Sequence, residues 1–428
     1  MPSTNLFAAS SFIPSRFRWF GLTALLLGLS LPTSNALMNV ALGAVMLCLL
    51  CQWDGRHVIP LLKHPLVWLP ALMFALLALS LLTQYHDYGP KMVRKYLKLL
   101  YVLPLALFFL MDARLMTRFI NGFLLANAVI LCISVVSGIG QVTLGGLNPQ
   151  NPTVFKLQIT QNVFMAFAAL VWLSRAFAHT GLKRGGYGLL AGLATANVLL
   201  MVQGRTGYVA LLVGVGVWLL LTLPCWQRIG FFACGLLMVM TLVLIPNRAT
   251  ERLTLGLQEV RQCVLAPADQ AYQACDNSMG QRTAFAREAL RLIRQAPVLG
   301  NGAGSFWYGN AETGYSVHNP HNEYLLETVQ IGLLGLGVFL GWMLCFLRAA
   351  WHQPVVCRNV LVALLCSYMA CHLFNSFLLD SAEGHLFIVL VAILARLTVT
   401  GLTDWPNGEI RENVPMALPE PGVADRGG

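Results

Sequence analysis

The chain has 428 residues, 57% of them hydrophobic and only 11% charged, with a mean hydropathy of +0.66. Soluble domains carry about a quarter charged residues, so this composition excludes an ordinary soluble globule and requires lipid to solvate much of the chain. The net charge of +10 would point a soluble protein toward nucleic acid, but in a membrane protein it reports loop orientation and contact with anionic lipid; nucleic acid is not an expected partner.

Residues 1–15 lack the clustered positive charge and small-residue cleavage site of a secretory leader, so the first apolar run is expected to stay as a helix. Apolar windows and their breakers predict about 12 spans, near residues 19–32, 35–53, 66–82, 92–111, 119–139, 161–174, 187–203, 207–223, 229–245, 324–347, 360–378 and 386–402. The first and sixth windows are short for a full crossing. The fold class expected is all-α: a polytopic integral membrane protein with one large polar loop at 246–322.

Placing the amino terminus in the cytoplasm sends Arg56, Lys63, Arg114, Arg118, Arg175, Lys183, Arg184, Arg228, Arg348 and Arg358 to cytoplasmic loops, as the positive-inside rule demands. The loop at 246–322, the turn around Arg205 and the connection 380–385 then face outside. The chain divides into membrane helices at 1–245, the outer loop domain at 246–322, further membrane helices at 323–402, and a disordered cytoplasmic tail at 403–428, rich in Pro, Gly and Glu.

Two outer features break the positive-inside trend. Lys91, Arg94, Lys95 and Lys98 recur at i, i+3, i+4 and i+7, which puts them on one face of the fourth span. Two readings stand for this stripe: snorkelling to lipid phosphates, or binding a phosphorylated substrate. The second feature is the arginine-rich loop. Its stretch 283–296 has helical periodicity, with Phe285, Ala289, Leu292, Ile293 and Ala296 on the apolar face and Arg287, Arg291 and Arg294 opposite. Arg282, at the entrance of that helix, falls within about 40° of the centre of the apolar face and is expected to point inward. Gly300, Gly302 and Gly304 end the helix in a flexible turn.

Cys263 and Cys275 alone among the cysteines lie in a polar stretch. They are either two free thiols or, in an oxidising compartment, a disulfide closing a short loop.

The segment His318, Asn319, Pro320, His321, Asn322 precedes the tenth span. Asn319 is a good N-cap and Pro320 suits the first helical position, so His321 is expected in the first helical turn, where the dipole attracts anions and keeps imidazole neutral. It reads either as a general base for a hydroxyl or as an interfacial histidine bonded to a carbonyl. Arg205 sits in a short turn between two apolar runs on the same side, where burying an unpaired guanidinium costs several kcal/mol and its fork suits a diphosphate.

His321–Asn322 followed after nine residues by Gly332 and after two more by Gly335, together with the run from Gly280–Gln281–Arg282 to Ser305–Phe306, resembles the signature of the bacterial O-antigen ligase and O-antigen polymerase superfamily. The single dominant outer loop looks more like the ligase. The resemblance implies a GT-C-like membrane fold in the bacterial inner membrane, with a periplasmic loop and a periplasmic active site. It implies an inverting glycosyl transfer, independent of metal and of any cofactor, from undecaprenyl-diphosphate-linked O-antigen to a sugar hydroxyl of lipid A-core during lipopolysaccharide biosynthesis. Arg205, Arg282 and His321 take the catalytic roles by that resemblance, although Gly204 stands where ligases often have serine. Lys91, Arg94, Lys95 and Lys98 are then candidates for the lipid diphosphate, and His318, Asn322, Glu323, Tyr324 and Asp380 form a second tier. Asp380 either orients His321 or a substrate hydroxyl, or is an ordinary interfacial carboxylate. The readings left beside the ligase are an O-antigen polymerase, a protein O-oligosaccharyltransferase of the same superfamily, and, from another class, a transporter of anionic lipids.

Overall fold

The computed structural model describes residues 15–52, 55–230, 233, 240, 248–266, 274–310 and 315–400. The tail at 403–428 and most of the ninth predicted span, at 229–245, lie outside them. The chain is an all-α, multi-pass membrane protein. Its helices run α1 (Ser15–Thr33), α2 (Asn35–Cys51), α3 (Val58–Leu62), α4 (Pro65–Thr83), α5 (Gly89–Tyr96), α6 (Val102–Met111), α7 (Arg114–Gly140), α8 (Gln158–Ala178), α9 (Gly181–Ala196), α10 (Arg205–Thr222), α11 (Arg248–Leu265), α12 (Ser278–Gln295), α13 (Glu323–Trp351), α14 (Val355–Cys371) and α15 (Ser381–Thr400). Six of them, α4, α7, α8, α10, α13 and α15, are long and apolar enough to cross a bilayer unaided.

The most buried of these are α8 and α15, each with 83% of its most apolar window inside the protein. Around them α1 packs on α2 and α7, α10 on α8 and α14, and α13 on α4. Large apolar residues such as Leu50, Leu79, Leu82 and Leu344 remain exposed on the outer faces, which is where lipid must complete their burial. The short sixth window is the middle of α8, whose 21 residues include polar Gln158, Gln161 and Asn162 at its N-terminal end.

The fourth predicted span is not one continuous helix. It is α5, a 3-10 turn over Leu97–Tyr101, and α6. The tighter winding breaks the α-helical spacing of the basic stripe. Lys91 and Arg94 are exposed and Lys95 half-buried, whereas Lys98 is 5% exposed and donates from Nζ to the carbonyls of Leu379 (3.2 Å) and Asp380 (2.5 Å). Lys98 therefore fastens the connection between α14 and α15, and does not join the stripe.

The described residues of the loop at 246–322 form a packed helix pair, a hairpin and a latch. α11 packs on α12, and Cys263 and Cys275 are disulfide-bonded between them, which decides between the two readings of that pair. A two-stranded antiparallel hairpin, β1 (Tyr308–Asn310) with β2 (Tyr315–Val317), follows, with Tyr308 opposite Val317. The latch is the glycine-rich segment 297–304. α13 is broken at Ile331 and Gly332, the latter at φ +65°, and the latch supplies the hydrogen bonds the broken turn lacks. The amides of Asn301 and Gly302 donate to the carbonyls of Val329 (2.8 Å) and Gln330 (2.9 Å), and the amides of Leu333 and Leu334 donate to those of Pro297 (2.9 Å) and Val298 (3.2 Å). Irregular backbone at a membrane boundary persists only when protein satisfies it in this way. A Cβ at Gly332 would overlap the Val298 carbonyl, and positive φ disfavours any side chain there. The glycine-rich segment is thus a fixed joint, docked also on α4 through the Ala303 amide to Ser80 Oγ at 2.9 Å.

Candidate active site

The joint sets where α12 lies, and α12 carries Arg282. This helix begins at Ser278, five residues before the start expected from periodicity, because Asn277 caps it by accepting from the Gly280 amide at 2.7 Å. Phe285, Ala289 and Leu292 pack inward with Phe306 and Val329, while Arg287, Arg291 and Arg294 face solvent. Arg282 is half-buried beside that apolar face. Loss of water draws its pKa below the usual arginine value, and the charge of Arg205 pushes the same way.

Arg205 reaches the site differently from the sequence expectation. It is the first residue of α10 and its side chain is exposed, not buried between helices; no desolvation cost therefore forces a partner on it. What is buried is the turn behind it. α9 widens into a π turn at Asn197–Met201, and the chain then crosses to α10 over residues 202–204. Asn162 of α8 holds that crossing, its Nδ2 donating to the carbonyls of Val202 (2.9 Å) and Gly204 (3.2 Å). A Cβ at residue 204 would come within 2.7 Å of Asn162 Nδ2 and 2.9 Å of the Gln158 carbonyl. Glycine precedes Arg205 because Asn162 already fills the space a serine would need.

His321 also sits outside its expected place. The cap of α13 is Asn322, whose Oδ1 accepts from the Leu325 amide at 3.0 Å, so His321 precedes the helix and adopts φ +54°. Asn319 does not cap the helix because its Oδ1 is used twice elsewhere, accepting from the His321 amide (2.9 Å) and from Ser376 Oγ (2.7 Å). This local turn stabilises a left-handed conformation that a non-glycine residue seldom holds. The imidazole is open to solvent on one side, tilted against Phe285 at 5.9 Å between ring centroids, and hydrogen-bonded to the Asn375 side chain. Its pKa is lowered, first by the water its surroundings exclude and then by the charge of Arg282, with the Asn375 bond opposing. The ring is neutral at pH 7, as expected, though not through the helix position first assigned to it.

Arg282 is thus within electrostatic reach of both Arg205 and His321. Among the described residues neither arginine makes an ion pair. Two guanidinium groups without an ion pair among the described residues, beside a neutral imidazole, are an arrangement able to receive an anion. Next to it lies a cavity of about 340 Å³ lined by His321, Lys156, Thr160, Asn375, Asp380 and Glu383 among others, a size suited to a small polar ligand. Burial, and then the charge of Glu383, raise the Asp380 pKa.

The remaining sequence candidates separate. Tyr88 stacks on His318 at 3.8 Å, with Lys91 (5.0 Å) and Lys95 (5.9 Å) over the Tyr88 ring. His318 therefore belongs with the basic stripe, not with the His321 cavity. Asn322 is a cap that also donates to the Leu373 carbonyl at 3.1 Å. Glu323 is fully buried, accepting from Tyr96 Oη (2.9 Å) and the Leu378 amide (3.1 Å), and Tyr324 Oη donates to the Met369 carbonyl at 2.7 Å. These three hold helices together and do not line the cavity. Asp380 lines it, but the side chain bonded to His321 is Asn375, which also donates to Thr206 Oγ1 at 3.3 Å. Asn162 and Asn375 were not singled out from the sequence. The available signal was an amide near one end of an otherwise apolar run, at 161–174 and at 360–378.

Residues 190–340 match a family model described as O-antigen ligase. The match contains Arg205, Arg282, His321, Gly332 and Gly335. No curated protein matches the chain.

Proposed function

The chain belongs to the O-antigen ligase and polymerase superfamily, and from that premise we propose that it is a ligase, moving an O-antigen glycan from undecaprenyl diphosphate to a sugar hydroxyl of lipid A-core at the periplasmic face of the bacterial inner membrane. The observation that carries this reading is that Arg282 lies within electrostatic reach of both Arg205 and a neutral His321.

In this reading the two guanidinium groups bind the diphosphate of the donor, and the exposed Lys91 and Arg94 with Lys95 attract it to that face of the membrane. The acceptor sugar occupies the cavity beside His321, where Asp380, Glu383 and Thr160 offer oxygens to sugar hydroxyls. His321 takes the proton of the acceptor hydroxyl as its oxygen attacks the anomeric carbon. The bond from that carbon to the diphosphate oxygen breaks, and the lipid diphosphate leaves with the electron pair. Arg205 and Arg282 stabilise the charge that develops on it, the role that preorganised cations serve. A single displacement inverts the anomeric configuration. The loop at 246–322 is the periplasmic domain of this scheme, and α11 with the disulfide is its scaffold.

The test is reconstitution with lipid A-core and a polyprenyl-diphosphate glycan. The expected product is glycosylated lipid A-core, formed without an ion gradient and at the same rate in the presence of a chelator. Extension of the polyprenyl-linked glycan instead would identify a polymerase, and movement of lipid without a covalent product would identify a transporter.

A further inference from the structure

At the opposite end of the bundle a second cavity, of about 660 Å³, opens between the start of α4, the end of α13, the start of α14 and the end of α15. The helix α4 connects the two regions. His64 borders this cavity, and Ser80 grips the latch roughly 24 Å along the helix axis at 1.5 Å per residue. Among the described residues, the polar groups lining the cavity are His64, Arg348, His352, Gln353 and Thr398, with no carboxylate.

Hydrogen bonds show which of these groups can take a ligand. His64 Nδ1 accepts from the Leu66 amide at 3.2 Å, so its proton is on Nε2, bonded to Thr398 Oγ1 at 3.1 Å, and Thr398 in turn donates to the Ala395 carbonyl at 2.7 Å. That imidazole is committed as a neutral helix cap. Gln353 Nε2 is turned back to the Ala349 carbonyl at 3.3 Å. His352 donates from Nδ1 to the Arg348 carbonyl at 2.7 Å, which leaves Nε2 uncommitted, and the Arg348 side chain is exposed. The groups available are therefore a guanidinium, which suits phosphate oxygens, and an imidazole Nε2 that accepts a hydrogen bond from a hydroxyl.

The surroundings select the source of that phosphate. Leu340, Leu344 and Arg348 are spaced four apart on α13, and Leu340 and Leu344 are 41% and 64% exposed. They make an apolar track that ends at the cation. Trp351, half exposed with the Arg358 guanidinium 5.1 Å from its ring, is the kind of aromatic residue that marks headgroup depth. A soluble anion would have no use for the track.

We propose that this cavity is a binding site for the headgroup of an anionic phospholipid, with Arg348 on the phosphate, His352 Nε2 accepting from a headgroup hydroxyl and an acyl chain along Leu344 and Leu340. Basic pockets between membrane helices recognise lipid headgroups through the same combination. The site is separate from the transfer chemistry, and it stands or falls without it.

The test is native mass spectrometry of the full-length purified protein titrated with phosphatidylglycerol, with phosphatidylcholine of the same acyl chains, or with inorganic phosphate. Phosphatidylglycerol is expected to remain bound in preference to phosphatidylcholine, and Arg348→Gln/His352→Gln to weaken its retention about ten-fold. Arg348→Lys, which keeps the charge, is expected to retain most of the binding and serves as the folding control. Equal retention of the two lipids, equal retention by wild type and the double variant, or displacement of the lipid by millimolar inorganic phosphate would each overturn the proposal.

Discussion

Asn162 donates to the carbonyl of Gly204 at 3.2 Å, so the turn that presents Arg205 is held from a neighbouring helix as well as by its own backbone, whose Gly207 amide donates to the same carbonyl at 2.9 Å. Asn162→Ala removes one of two donors from that carbonyl and from the one at Val202, a loss of about 0.5–1.5 kcal/mol for each bond. The expected result is a donor KM raised by about ten-fold or more, because Arg205 loses its fixed position, with a smaller change for the acceptor. Steady-state kinetics with donor and acceptor varied separately check this. A purely structural Asn162 would lower the melting temperature and leave the ratio of the two KM values unchanged.

The electrostatics of His321 fix the sign of the pH dependence. A general base works in its neutral form, so transfer falls as pH drops through its pKa. Partial burial and Arg282 place that pKa below the ordinary value of about 6.5, and the acid limb of the free enzyme is expected below that pH. Arg282→Gln removes a positive charge from beside the ring, so the His321 pKa is expected to rise. Site-resolved carbethoxylation of His321 across pH, read by mass spectrometry, gives the midpoint even where activity is lost. A midpoint unmoved by Arg282→Gln would mean that the two groups are not coupled.

Gly332→Ala tests the joint. Its positive φ and the Val298 carbonyl against it leave no room for a methyl group. Strain of this kind costs about 1–3 kcal/mol, and the expected outcome is partial release of segment 297–304 from α13. Hydrogen exchange should then rise at the amides of Asn301, Gly302, Leu333 and Leu334 together, with transfer reduced even though Gly332 touches no substrate. Unchanged exchange at these four amides would show that the joint tolerates a side chain.

The disulfide makes a local prediction. Cys263 and Cys275 are 12 residues apart, and closing a loop of that length stabilises it by about 3 kcal/mol in the chain-entropy model. Cys263→Ser/Cys275→Ser is expected to speed trypsin cleavage within the outer loop at arginines such as Arg287, while cleavage elsewhere is unchanged. The same rate of loop cleavage in both proteins would leave the bridge without a stabilising role.

The amino-acid sequence made the membrane class, the polar loop and the three central residues legible because each leaves a local mark. Apolar windows report lipid, the arginines of α12 repeat with helical spacing, and His321 stands in a polar cluster at a span boundary. What it misplaced depended on contacts distant in the chain. Two asparagines compete to cap α13, and Asn322 prevails because Asn319 is engaged by Ser376, which lies in another helix connection. Lys98 reads as part of a stripe until a 3-10 turn rotates it toward the carbonyls of Leu379 and Asp380. The role of Gly204 is invisible without Asn162, 42 residues earlier. The glycines at 300, 302 and 304 suggest flexibility in one dimension and form a rigid contact in three.

The most direct measurement is single-turnover transfer from a polyprenyl-diphosphate glycan to lipid A-core by His321→Gln and Arg282→Gln, each compared with wild type in liposomes. Each variant is expected to lose about 100-fold or more in rate. Donor binding should be retained by His321→Gln and weakened by Arg282→Gln. Transfer at the wild-type rate by either variant would contradict the assignment of base and diphosphate clamp to these residues.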